Sequence, residues 1–147
     1  MESCLACDLA SGRVGLPGGR IHETTHWLVE HCVGPLGVGT LVVKPKRHVV
    51  HVWELTSGEA AELGPLLQKA SAAVAELTEP EQIYVCLWSH GPGHIHFVIQ
   101  PVTPLQMAEL DAFGPRLQVA MFDRNELPPS DAVEAVAVQL RARLGGG

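Results

Sequence analysis

From Trp53 to about Thr78 the apolar residues Leu55, Ala60, Leu63, Leu66, Leu67, Ala70, Ala73, Val74 and Leu77 recur at helical spacing. Thr56, with Glu59 three positions later, supplies a capping box that marks where this helix begins. Gly64 and Pro65 interrupt the pattern, yet the same apolar face resumes beyond them, which predicts one helix with a possible bend. Everything else in the chain is arranged on either side of this long element.

Before the helix, the stretches near Thr25–Cys32 and Gly39–Lys44 are rich in Trp, Leu, Val and Thr. They are separated by VGPLGV, which predicts an antiparallel hairpin. After the helix come two further predicted strands, Gln82–Ser89 and His94–Gln100, with a Gly-Pro-Gly between them that leaves room for a hairpin-like connection. Leu105–Val119 and Asp131–Leu144 again show helical spacing, the second capped by Ser130 or Asp131 and stopped by Gly145–Gly147. The expected class is α+β. The 147 residues carry no repeat and no linker-like stretch, so one domain spanning 1–147 is expected.

Bulk chemistry narrows the possible functions. A chain that is 46% hydrophobic and 18% charged lies outside the regime that stays disordered. No apolar run reaches the ~18–20 residues of a membrane span and no basic region leads into an apolar one, so a cytoplasmic protein without a membrane partner is expected. The net charge of -6 argues against a nucleic-acid partner. The dense cluster of cations, Lys44, Lys46 and Arg47, reads as a solvated strand end, with an anion-facing role as the alternative.

Two groupings carry chemistry. Cys4 and Cys7 form a CxxC, which in a reducing compartment is half of a metal site or a redox pair. A redox CxxC usually opens a helix after a strand, and this pair precedes every predicted strand, so metal is favoured. Zinc accepts thiolate and imidazole, but eight histidines leave the remaining ligands open. Cys32 and Cys86, inside apolar strand patterns, are expected to pack in the core, as are Trp27, Trp53 and Trp88, with stacking on a base as the alternative.

The second grouping is His94 and His96 in HIHFVIQP. Strand geometry turns both imidazoles to one face and Ile95 and Phe97 to the other. Imidazole suits attack on phosphorus, because a neutral nitrogen avoids the repulsion an anion meets at phosphate oxygens and still leaves when the phosphoramidate breaks down.

Taken in order, the CxxC, GTLVVKPKRH, a capped helix and GHIHFVIQP resemble the histidine triad family over roughly Cys4–Pro101. The resemblance implies an antiparallel sheet with one main helix over residues 4–101 and a homodimer, and the helical spacing beyond it reads as a C-terminal extension over 103–147. Members with the CxxC look similar to galactose-1-phosphate uridylyltransferase. That likeness implies a structural zinc held by Cys4, Cys7, His48 and His94, with all four positions filled. The family pattern makes His96 the nucleophile toward the α-phosphate of a nucleotide derivative, through a covalent nucleotidyl-histidine.

Two positions depart from the pattern. Val98 stands where a third histidine contacts phosphate, so His90, Ser89 or the amides of Gly91 and Gly93 are expected to take over. Cys32 falls where an acidic residue holds ribose hydroxyls, with Glu30 and His31 nearby but out of register, so the substrate is not expected to be an ordinary ribonucleotide. The leading expectation is a nucleotidyl hydrolase or transferase acting through His96. The alternatives are a nucleotide-binding module with little chemistry, and a zinc hydrolase with an open site built from some of His48, His51, His90, His94 and His96.

Overall fold

The computed structural model describes residues 4–145. The elements in order are α1 (Leu5–Ser11), β1 (Arg20–Glu23), β2 (Trp27–His31), β3 (Leu41–Pro45), a single 3-10 turn (Val52–Glu54), α2 (Ser57–Thr78), β4 (Gln82–Cys86), β5 (Phe97–Val102), α3 (Pro104–Leu110), α4 (Pro115–Arg124) and α5 (Ser130–Leu144). The strands form one antiparallel sheet in the order β1-β2-β3-β5-β4. No helix among the described residues is long and apolar enough to cross a membrane.

Period-two alternation separates the two faces of this sheet. Trp27, Val29, Leu41, Val43 and Ile99 join Leu66, Ala70 and Val74 of α2 and Ala137, Leu140 and Leu144 of α5 in one core. The intervening residues Glu30, Val42, Lys44 and Val98 turn to the opposite face, where Glu30 pairs across to Val42 and Val42 to Val98. The C-terminal helix thus belongs to the core beneath the sheet. Gly18, at φ 79°, permits this docking, since a Cβ there would sit 2.6 Å from Cβ of Ala137.

The capping box of α2 is complete: Thr56 Oγ1 accepts from the Glu59 amide and Glu59 Oε1 accepts from the Thr56 amide. The helix continues through Pro65 as one element. Gly39, at φ 96°, closes the β2–β3 hairpin where a Cβ would meet Thr78 at 2.9 Å.

Several expected boundaries shift. Strand β4 ends at Cys86 and β5 begins at Phe97, so His94 and His96 precede the strand instead of lying in it. In the β3–β5 register residue 95 would face Pro45, which has no amide to donate, and the Ile95 amide bonds instead to the Val49 carbonyl at 2.9 Å. The helix expected over Leu105–Val119 is two, because Asp111 adopts the left-handed conformation and Gly114–Pro115 starts a new helix. Helix α5 begins after Pro129 with no side-chain cap and ends at Gly145; Gly146 and Gly147 lie outside the described residues. The first strand, β1, had no sequence expectation.

Candidate metal centre and active site

Helix α1 brings the CxxC over the open face of the sheet. Cys4 is its N-cap and Cys7 lies in its first turn. Lys44 Nζ holds the helix down by donating to the Ala6 carbonyl at 2.9 Å. From the sheet side, His48 follows β3 and His94 precedes β5, and the 48–49 segment runs beside 94–95 through the Ile95–Val49 bond.

The four side chains meet, with one ligand atom from each lying within 4.8 Å of the others. His94 Nδ1 is 3.4 Å from Cys7 Sγ and 3.8 Å from Cys4 Sγ, and His48 Nδ1 is 3.5 Å from Cys7 Sγ. A tetrahedral zinc with ordinary Zn–S and Zn–N bonds separates its ligand atoms by about 3.3–3.8 Å, so the donor set fits that ion. His94 donates Nε2–H to the Pro45 carbonyl at 2.8 Å, which leaves the Nδ1 lone pair aimed at the thiols. Burial holds the His94 imidazolium pKa below its ordinary value, consistent with a neutral donor ring. Burial, followed by the neighbouring Cys4, pushes the Cys7 thiol up. Cys4, Cys7, His48 and His94 could therefore hold a metal ion.

His96 has different surroundings. Its Nδ1–H donates to the His94 carbonyl at 3.2 Å, which fixes the tautomer and leaves the Nε2 lone pair unused. Both His94 and His96 border a cleft of about 710 Å³ on the open sheet face. The two rings thus share a side, as strand alternation predicts, although strand pairing starts one residue later.

His90 and Gly93 border this cleft from the connection between β4 and β5. Ser89 is not among the lining residues; its Oγ lies 3.3 Å from where a Gly93 Cβ would be. The Gly93 amide faces the His90 carbonyl at 3.4 Å, closing the turn. Val98 lines the floor, and Cys32 lines the wall instead of packing in the core. Cys32 is half-buried, accepts from the Gly34 amide at 3.4 Å, and has its thiol pKa raised by burial. Cys86 is also half-buried and accepts from Gln118 Nε2 at 3.3 Å.

The basic cluster is not free to meet an anion. Lys44, expected to be solvated, is buried against Glu30 at 2.9 Å; Lys46 pairs with Glu23 at 2.9 Å and Arg47 with Glu59 at 2.8 Å. Acid partners from β1, β2 and α2, invisible in a local motif, neutralise all three. Of the tryptophans, Trp27 is buried as expected, whereas Trp53 is 80% and Trp88 66% exposed. Trp53 lies in the turn before α2 and stacks on His51 with ring centroids 4.1 Å apart, and Trp88 lies beyond the end of β4. His51 is thus stacked on Trp53 and is not a member of the four-ligand group. The lining residues Val33, Leu36 and Phe122 were not anticipated; the helical spacing near Phe122 gives no hint of what its side chain faces.

Comparison with models of known protein families finds no match. Over 105 residues the chain is 30% identical to adenosine 5'-monophosphoramidase hnt1 of Schizosaccharomyces pombe, covering 67% of this chain and 74% of that one. The fold matches a Hit-like protein involved in cell-cycle regulation from Bartonella henselae, with TM-score 0.73, 19% identity and coverage of 97% and 96%. It also matches a Zn-bound histidine triad family protein from Mycobacterium smegmatis, with TM-score 0.69, 22% identity and coverage of 97% and 94%.

Proposed function

The chain belongs to the histidine triad family, and on that premise we propose that it hydrolyses or transfers the nucleotidyl group of a nucleotide derivative through a covalent bond to His96. The observation that carries this is the free Nε2 of His96, directed by the Nδ1–H bond to the His94 carbonyl on the border of an open cleft. The S. pombe relative, a monophosphoramidase by name, supports a phosphorus–nitrogen substrate.

In the first step the Nε2 lone pair attacks the α-phosphorus; the N–P bond forms as the bond to the leaving group breaks, and the departing amine takes a proton from water. In the second, water or hydroxide attacks phosphorus, the N–P bond breaks, and neutral His96 is regenerated with the nucleoside monophosphate. His90 and Gly93 are proposed to face the phosphate from the β4–β5 connection, and Ser89, beside Gly93 but off the cleft lining, to support that turn. Cys4, Cys7, His48 and His94 would hold a zinc ion and so tie α1 to the segment bearing His96; four protein ligands would leave it a structural part. The neighbour named as Zn-bound supports that ion. We also propose a homodimer, supported by the unpaired edge of β4 and the exposed Val85 on it.

The reaction is tested by mixing the protein with adenosine 5'-phosphoramidate, quenching at alkaline pH and mapping the adduct by peptide mass spectrometry. Adenylylation of His96, and a turnover loss on the order of 10³-fold or more in His96→Ala, are expected. Turnover that survives His96→Ala contradicts the proposal. A second reading, a nucleotide-binding module with little chemistry, is favoured by Val98, whose side chain can neither donate nor accept a hydrogen bond on the cleft floor. Thermal stabilisation by nucleotide without turnover selects it.

A further inference from the structure

The chemistry at His96 concerns only the phosphorus end of a substrate; the rest of the cleft must hold whatever phosphorus carries. Its wall there is apolar, formed by Val33 and Leu36 beyond β2 and by Phe122 of α4. Phe122 is 55% exposed, so its ring offers a face to an incoming group. Helix α4 is fixed in place: Gln118 Nε2 donates to Oε1 of the buried Gln100 at 3.0 Å, and Trp88 Nε1 donates to Gln118 Oε1 at 3.3 Å. The wall is therefore anchored to β5, the strand that continues from His96, and to the connection carrying His90.

The polar groups of the cleft are largely committed elsewhere. Glu30 is the acidic residue lining it, is 3% exposed, and already faces the Lys44 ammonium at 2.9 Å. His31 donates from Nδ1 to the Cys32 carbonyl and accepts at Nε2 from the Gly39 amide, each at 2.8 Å. Cys32 offers a thiol, a weak partner for a hydroxyl. Sugar vicinal hydroxyls are ordinarily held by a carboxylate acceptor, and no uncommitted one borders this cleft among the described residues.

We propose that the group carried on phosphorus is recognised as a flat apolar surface, such as a nucleobase, against Phe122, Val33 and Leu36, and that sugar hydroxyls contribute nothing to its binding. This rests on the cleft being the substrate site proposed above, but not on His96 reacting. Phe122 is then a specificity residue contributed by the C-terminal extension.

The test is calorimetric binding of adenosine 5'-monophosphate, its 2',3'-dideoxy analogue and ribose 5-phosphate to the zinc-loaded protein and to Phe122→Ala. The two nucleotides are expected to bind within about threefold of each other, with ribose 5-phosphate at least about tenfold weaker. Phe122→Ala weakens both nucleotides roughly tenfold while leaving ribose 5-phosphate and the melting temperature unchanged. A dideoxy analogue about tenfold or more weaker than its parent, an unaffected Phe122→Ala, or no binding of either nucleotide overturns the inference. Because these ligands are bound without being cleaved, failed labelling of His96 alongside hydroxyl-indifferent binding removes only the chemistry. Labelling alongside a strong preference for the ribose hydroxyls removes only the inference.

Discussion

His94 and His96 are separated by one residue, and hydrogen bonds to backbone carbonyls give them opposite lone pairs to use: Nε2–H of His94 is held by Pro45, and Nδ1–H of His96 by His94. The free nitrogen of His94 then faces the thiols, and that of His96, on the border of the cleft, is the one proposed to attack the substrate. Lys44 supports the first role through a buried contact with Glu30 and a bond to the Ala6 carbonyl. Lys44→Met leaves the Glu30 carboxylate buried without its partner and releases α1, so it is expected to lower stability by about 3 kcal/mol, measured by urea unfolding. A change below about 1 kcal/mol would show the ion pair to be expendable.

At the scale of elements, α2 is anchored by Glu59, whose carboxylate serves both the Thr56 cap and Arg47. The Arg47 guanidinium holds the Glu59 pKa down to about 2, with the Thr56 amide adding to the effect against burial. A carboxyl whose folded pKa lies below its unfolded value stabilises the fold above the unfolded pKa, near 4.5, and loses that contribution as pH falls toward 2. Arg47 is half exposed, so the contribution is on the order of 2 kcal/mol after screening. Glu59→Gln is expected to flatten the stability profile between pH 4.5 and 2 relative to the parent, read by thermal unfolding across that range. An unchanged slope contradicts the assignment. This helix and its cap were legible in the sequence because apolar spacing and a capping box are local signals. The break at Asp111–Gly114 is masked by apolar residues that continue at helical spacing across it, although the Gly114–Pro115 dipeptide is a local signal of it.

Across the whole molecule, the sheet separates a core shared by α2 and α5 from a face that holds both the four candidate metal ligands and the cleft. The four ligands and His96 could be matched to positions through the family pattern, whose spacing carries long-range information. The acid partners of Lys44, Lys46 and Arg47 and the reach of Phe122 depend on tertiary approach, which no local pattern records. The proposed homodimer predicts a light-scattering mass twice the 15.7 kDa of the chain, and a shift toward that single mass in Val85→Lys, which places a charge on the β4 edge. A parent protein that runs at the single mass removes the dimer from the account. The unlike roles of the two imidazoles are tested most directly by metal content per chain, measured by elemental mass spectrometry on purified His94→Ala and His96→Ala. The account predicts loss of zinc in His94→Ala and full retention in His96→Ala, and the reverse pattern would contradict it.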